Sequence, residues 1–297
     1  YVHRTPPCQG SCPSGHDIRG WLSIVRGLDR PDGDLSWQEY AFRRLVKSNP
    51  FPSVMGRVCP APCQDGCNRN EIEETVGINA VEQYVGDWAL INKLSFPKPG
   101  IDSGKKVAIV GGGCAGLSAA FFLRQKGHAC TIFDAYDRLG GMMVFGIPGY
   151  RTPREVLDGE INRIIDMGVE VKLNTRVGTD VSVEELERDF DCVFWGIGAN
   201  SGRTLSIPGS DAPNCVDGMS YLRAYNEGRL KYLDGRVLVI GAGDTAMDVV
   251  AVARRIGNVK STTAKDKPES VILGHTVHDV ITVAKRQGGD VWVIYRR

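Results

Sequence analysis

No stretch of this 297-residue sequence is apolar for long enough to span a bilayer, and its longest hydrophobic runs are strand-length. No basic tract stands out either. With 36 Lys and Arg against 35 Asp and Glu, nothing points to nucleic acid or an anionic membrane surface. The opening residues, Tyr-Val-His-Arg-Thr-Pro-Pro, lack the apolar core of a secretion signal, so a cytoplasmic location is expected; a processed chain would read the same way. No acid–base pair and no activated nucleophile stands out as catalytic machinery. His16, His128, His275 and His278 are read as structural or solvated. The length suggests about two domains with room for substantial cores.

What is present begins with glycine. Lys106–Val110 reads as a buried strand running into Gly111-Gly-Gly113-Cys114-Ala115-Gly116, after which Leu117-Ser-Ala-Ala-Phe-Phe-Leu opens a helix. Strand, glycine turn and helix in that order make a dinucleotide-binding unit. Gly111 allows the tight turn, Gly113 lets backbone approach a pyrophosphate, and Gly116 lets helix and strand pack closely. The helix N-terminus supplies free N–H groups and partial positive charge for phosphate. A second strand, Ala129–Phe133, ends at Asp134, where an acid can accept from a ribose hydroxyl. Tyr136–Gly149 is too glycine-rich for a regular element and reads as a loop lying against a flat ligand. Further cofactor-binding positions assigned to this unit are Cys114, Ala115, Arg138, Gly140, Gly141, Val177 and Gly198. Cys114 is otherwise read as a small packing residue.

A second unit starts at Gly235–Ile240 and continues through Gly241-Ala-Gly243-Asp244-Thr245-Ala246 into a helix, Met247–Ile256, with Ala246 in place of the third glycine. The next strand, Asp290–Tyr295, arrives only after an insert at 258–289. It ends in Arg296-Arg297 rather than an acid. Two arginines suit a 2′-phosphate, which favours NADPH over NADH; the alternative is a pair of solvated arginines. Two unlike units separated by flat-ligand loops suggest one flavin site and one nicotinamide site.

The nine cysteines are unevenly spread, and five lie in the first 67 residues. Cys8-Gln-Gly-Ser-Cys12-Pro precedes a helical pattern at Asp17–Arg26. Cys59-Pro-Ala-Pro-Cys63-Gln-Asp-Gly-Cys67 follows a second pattern at Trp37–Lys47, which Pro50 and Pro52 break. Proline and glycine hold open loops in which thiolates can converge. Soft thiolates suit an iron–sulfur cluster or zinc, and the Cys-Pro junctions lean toward iron–sulfur; buried or disulfide cysteines are the remaining alternative. The second helix is expected to join the two cysteine loops. Between the glycine units the pattern predicts a helix at Arg154–Met167, a strand at Val169–Leu173, an acidic helix at Val183–Asp189 and a buried strand over Cys192–Ala199.

The expected architecture is α/β: a helical domain at 1–96 carrying the cysteine loops, read foremost as iron–sulfur, a linker at 97–104, the first part of a flavin-binding Rossmann-like domain at 105–210, and a partial nicotinamide-nucleotide-binding Rossmann-like domain at 211–297. Cysteine loops, flavin unit and nicotinamide unit in that order resemble the small subunit of glutamate synthase. The flavin half of dihydropyrimidine dehydrogenase and the large subunit of NADH-dependent ferredoxin:NADP oxidoreductase share this resemblance. Its motifs are Cys8-x3-Cys12-Pro, Gly56–Cys67, Gly111–Gly116, Phe145-Gly-Ile-Pro148, Gly196–Ala199, Gly241–Ala246 and Tyr295–Arg297.

The resemblance implies FAD in the first unit, NADP or NAD in the second, and 4Fe–4S clusters that pass electrons to a partner subunit or ferredoxin. Carried over, Cys12, Cys59, Cys63 and Glu82 hold one cluster, while Cys8 and Cys67 serve a second. Three departures qualify it. Two cysteines expected before Cys8 are not present, since the chain either starts too late or lacks them, and five cysteines with one glutamate cannot fill two four-ligand sites. The 258–289 insert is atypical and narrows the resemblance toward the flavoprotein that partners dissimilatory sulfite reductase. The chain also stops before the segment that completes the FAD domain in relatives, as a fragment would. The direction of electron flow stays open at this stage. So does a rival class, a non-catalytic docking module stabilised by a metal.

Overall fold

The computed structural model describes residues 5–202, 206–230, 233, 236–256 and the backbone of 291–294. The N-terminal part is helical: α1 (Pro7–Ser11), α2 (Ile18–Val25), α3 (Trp37–Leu45), α4 (Pro52–Val58), α5 (Pro62–Asp65), a 3-10 turn (Asn68–Glu71) and α6 (Ile78–Ile91). Local chemistry starts these helices. Asp17 caps α2 by accepting from Gly20 N, and Ser36 caps α3 by accepting from Glu39 N. Pro52, expected only to break a pattern, is the first residue of α4. A proline both ends the helix before it and suits the first turn of the next, where its missing N–H costs nothing.

Helices α2 and α3 bury Ile18, Trp21 and Ile24 against Ala41, Phe42 and Leu45. Along α6 the buried positions are Ile78, Glu82, Val85, Gly86 and Ala89, so a carboxylate occupies an apolar stripe. α4 crosses α6 at backbone contact: a Cβ on Gly56 would lie 2.6 Å from Gln83 Cα.

The second part contains β1 (Lys106–Val110), α7 (Cys114–Gln125), β2 (Ala129–Phe133), α8 (Met142–Phe145), α9 (Arg154–Ile165), β3 (Glu170–Lys172), α10 (Val183–Asp189) and β4 (Cys192–Trp195). The strands form one parallel sheet in the order β3-β2-β1-β4. The expected buried strand over 192–199 is corrected. β4 pairs only with β1 among the described strands, and Phe194 and Trp195 are 37% and 50% exposed. Likewise the 136–149 loop is not wholly irregular, since α8 forms inside it with Met143, Val144 and Phe145 buried.

Helix α11 (Gly218–Asn226), which the sequence reading did not anticipate, is capped by Asp217. It packs with α12 (Asp244–Ile256), which runs beside β5 (Val237–Ile240) and β6 (Val291–Ile294). β5 and β6 pair in parallel, Val237 opposite Val291. The 258–289 insert lies outside the described residues. So do His275, His278, Arg296 and Arg297.

One continuous core runs from the helical part into the sheet. Phe42 stacks on Phe96, and Phe96 meets Phe121 of α7 with centroids 4.6 Å apart. The Arg163 guanidinium of α9 covers the Phe42 and Phe96 rings.

Candidate functional site

The cysteine sequences meet directly rather than through α3, which corrects the expectation that the second helix joins them. α1, carrying Cys8, packs on α5, carrying Cys63. α4 delivers Cys59 as its C-cap residue, and Cys59 Sγ accepts from Ala61 N at 3.5 Å. The first turn of α6 braces this loop, because Asn79 Nδ2 donates to Cys59 O and Asn79 N donates to Gln64 Oε1.

Two groupings emerge. Burial, with the nearby charges of Cys59, Glu82 and Cys12, pushes the Cys63 thiol up to about 11. Burial also raises Cys59, with Glu82 and Cys12 contributing. Cys8 is raised by burial and feels Cys67 instead. Cys59 and Cys63 thus lie near enough to Cys12 and Glu82 to feel their charge, and Cys8 near enough to Cys67.

Glu82 is 6% exposed, and burial pushes its carboxyl up to about 7 against the opposing hydrogen bond from Asn49. A cationic metal centre inverts this logic, binding thiolate and carboxylate and releasing their protons. Among the described residues no three Cys, His, Asp or Glu side chains stand close enough to chelate a single ion. Soft cysteine sulfurs with a buried carboxyl nearby are a donor set that suits an iron–sulfur cluster, whose ligands stand farther apart than those of one ion. His16, left as structural or solvated by its sequence, is buried beside this set. Its Nε2 lies 3.1 Å from Leu45 O and its Nδ1 lies 3.6 Å from Glu82 Oε1.

The first glycine turn has the geometry of a pyrophosphate cradle. Gly111 adopts φ +105°, and a Cβ on Gly116 would collide with the Gly111 carbonyl oxygen. Gly113 is the N-cap of α7 and offers no side-chain cap, so Cys114, Ala115 and Gly116 stand in a first turn with N–H groups free for an anion. Cys114 is exposed there, not packed as expected. Strand order reverses between β1 and β4, and ligands of open parallel sheets bind at such a switch point. The two walls of the crevice touch, since a Cβ on Gly111 would collide with Gly196 O. Gly198, with φ +68°, follows on the β4 side.

Asp134 is buried at the end of β2. Its Oδ2 accepts from Gly112 N at 2.6 Å and its Oδ1 from Tyr136 N at 2.9 Å, so the carboxylate holds the turn itself. Gly140 N donates to Gly112 O, and Gly141 approaches Gly113 closely. Val177 packs beneath the sheet with Phe133 and Leu186. Arg138 pairs with Asp158 at 2.8 Å on a half-exposed surface.

The 136–150 loop is pinned by residues that no local pattern reveals. Arg154 donates to the carbonyls of Met143, Val144 and Ile147, and Asn226 Nδ2 donates to Phe145 O. The Arg223 guanidinium lies over Tyr136, 4.2 Å from the ring centroid, and over Phe145. Arg151 pairs with the buried Asp248 of α12 at 2.9 Å. In the second glycine unit Gly241 takes φ +127°, and Asp244 and Thr245 open α12 after Gly243.

A parallel sheet with a glycine cradle at its switch point and a second strand–glycine–helix unit define a dinucleotide-binding protein, with a helical cysteine-bearing part packed against it. The chain belongs to the pyridine nucleotide-disulphide oxidoreductase family, whose model matches residues 105–293. Residues 3–94 match the model described as dihydropyrimidine dehydrogenase domain II, 4Fe-4S cluster.

The NADPH-Fe(3+) oxidoreductase subunit beta of Geobacter sulfurreducens is 37% identical over 276 residues, covering 88% of this chain and 39% of that protein. The NADP(+)-dependent formate dehydrogenase subunit beta of Moorella thermoacetica is 35% identical, covering 85% of this chain and 38% of that one. The NADPH glutamate synthase small chain of Bacillus subtilis is 37% identical, covering 82% and 53%. The chain thus spans between about two fifths and about half of these relatives. Among solved structures, Mycobacterium tuberculosis FprA in complex with NADPH aligns with a TM-score of 0.47 at 21% identity, over 64% of this chain and 42% of that one. The resemblance to glutamate synthase small subunits stands, and the expected cofactors FAD, NADP and a 4Fe–4S cluster agree with both family models. These relatives do not bear on the narrower resemblance to a sulfite reductase partner.

Proposed function

We propose that the chain is part of an electron-transfer oxidoreductase subunit that passes electrons between NAD(P)H and a partner protein through FAD and a 4Fe–4S cluster. The observation that carries this reading is that Asn79, one turn before Glu82 on α6, bonds Cys59 O, in a helical part that shares its core with the first dinucleotide unit; the charges of Cys12 and Glu82 reach Cys59 and Cys63 there. Cys12, Cys59, Cys63 and Glu82 would hold the cluster, leaving Cys8 and Cys67 short of a second four-ligand set.

The first turn of α7 would take the FAD pyrophosphate, and the pinned 136–150 loop would lie along the flavin. Asp134 keeps lone pairs for a ribose hydroxyl while fixing the turn through Gly112 N. The α12 N-terminus would take the nicotinamide nucleotide's phosphates. When bound, the flavin supplies the exchange between two-electron hydride chemistry and single-electron transfer; the residues named here bind and orient it. The domain limits expected from the sequence, 1–96, 105–210 and 211–297, are kept as part of this proposal. The partner is an electron-accepting or electron-donating subunit or a ferredoxin. A cytoplasmic location is kept as part of the proposal; separately, none of the described helices is long and apolar enough to cross a membrane.

Anaerobic purification of the full-length protein, with iron, sulfide and flavin analysis, tests the reading. Stoichiometric iron, acid-labile sulfide and FAD are expected, and Cys59→Ser or Cys63→Ser should remove the cluster signal. Zinc without sulfide or flavin would overturn it.

A further inference from the structure

Glu82 is held by two neighbours that contact the same oxygen. Asn49 Nδ2 donates to Glu82 Oε1 at 2.8 Å, and His16 Nδ1 lies 3.6 Å from that atom. The Asn49 amide is itself fixed at its other end, where Oδ1 accepts from Phe51 N at 2.9 Å in the turn that leads into α4. His16 is anchored likewise, through Nε2 against Leu45 O. The carboxylate therefore projects from α6 with one oxygen committed. Asn49 stands in the short connection between α3 and α4, at the head of the helix that delivers Cys59. A single side chain thus links the backbone entering α4 to the acid on α6.

The geometry points to Asn49 as a positioning residue for the iron–sulfur centre: its amide holds Glu82 Oε1 so that Oε2 is presented to the cluster. This rests on the reading of Glu82 as a ligand. A neutral donor on the non-ligating oxygen orients the carboxylate and withdraws electron density from it. Partners outside a metal's ligands act in this way, fixing ligand geometry and tuning the metal. Hydrogen bonds near a cluster also set its potential. Asn suits the task because it offers a donor to Glu82 and an acceptor to Phe51 N from one rigid amide plane.

The test uses the full-length protein purified anaerobically. Asn49→Ser removes the donor, while its hydroxyl can still accept from Phe51 N and so keep the turn. Iron and sulfide content should be retained. The electron paramagnetic resonance spectrum of the reduced cluster should change, and its midpoint potential should fall. In a Glu82→Ala background, which alters the spectrum on its own, Asn49→Ser should add no further shift. An unchanged spectrum and potential in Asn49→Ser, with Glu82→Ala still altering both, overturns the positioning role and leaves Glu82 as a ligand. Equal shifts from Asn49→Ser in both backgrounds overturn it too, since the effect then bypasses Glu82. If Glu82→Ala changes neither spectrum nor potential, the ligand reading itself falls. Should Asn49→Ser not fold, Asn49→Thr, uncharged and with a hydroxyl acceptor kept for Phe51 N, carries the same comparison.

Discussion

Glu160 accepts hydrogen bonds from the backbone N–H groups of Ser53 and Val54, at 2.8 and 3.0 Å. A carboxylate from α9, beside the nucleotide sheet, thus caps the helix that ends at Cys59. Two free N–H groups at a helix start need acceptors, and the Glu160 carboxyl oxygens supply them from 107 residues away. The side chain is fully buried.

Glu160→Ala should cost ~1–3 kcal/mol, because it leaves two buried donors unsatisfied. Thermal unfolding of the intact protein checks this, and an unchanged melting temperature would exclude a structural role for the cap.

Burial pushes the Glu160 carboxyl up to about 8 and Glu82 up to about 7, both from 4.5, although hydrogen bonds oppose the shift in each case. A carboxyl that keeps its proton more firmly in the fold than in the unfolded chain stabilises the fold at low pH. That contribution is complete below the unfolded value and declines as pH rises through the folded one. Metal-free protein should therefore lose stability between roughly pH 4.5 and roughly pH 8. Glu160→Gln, which cannot titrate, should flatten the upper part of that decline. Urea midpoints measured across the range for both proteins decide it, and parallel curves would refute the assignment.

Asp248 and Arg151 form a buried ion pair, and burial raises Asp248 to about 6 despite the arginine. Removing one partner strands the other charge. Asp248→Leu alone should destabilise by ~3–5 kcal/mol, whereas Asp248→Leu with Arg151→Met should recover most of the loss. A double-mutant cycle by denaturant unfolding measures the coupling, and additive losses would contradict it.

Gly116→Ala should force α7 away from β1, since the new methyl meets the Gly111 carbonyl oxygen. In the full-length protein the expected result is loss of bound flavin, read as the ratio of flavin to protein, with a stability cost of ~2 kcal/mol or more. Normal flavin content would show that the turn is not the pyrophosphate site.

Arg296 and Arg297 lie outside the described residues, and their proposed contact with a 2′-phosphate rests on sequence. In the intact protein, replacing both with uncharged residues should raise KM for NADPH more than for NADH. Equal changes would remove the phosphate role.

The glycine units, the β1–α7–β2 order and the helix at Val183–Asp189 were legible because their causes are local, namely turn geometry and short apolar or acidic runs; the Ser182–Glu185 capping box that starts the last of these appears only in the structure. The cysteine set was legible in type and spacing, and the partition into two groupings came from the family resemblance. What escaped was carried by distance. Nothing near residue 160 signals a partner at 53, and nothing near 49 signals one at 82. Cys192–Trp195 reads as a sheet interior from its apolar run, yet among the described strands it pairs with β1 alone, and Phe194 and Trp195 are exposed. Glu82 did leave a trace, as an acid spaced with Ile78, Val85 and Ala89 on the buried stripe of α6.

The stretch 97–104 resembles a free tether, and Ile101 is 94% exposed there. A protease that nicked it would nevertheless not release two separable pieces. Glu160 would keep its grip on the start of α4, and Arg163 would stay over Phe42 and Phe96. The nicked halves should travel together on a sizing column and part only in denaturant. An excised fragment of 105–210, in contrast, would lose Arg223 and Asn226 from its loop and α4, the helix that Glu160 caps, from its flank. The seams drawn by composition are thus places where the chain can be cut, not places where the molecule comes apart.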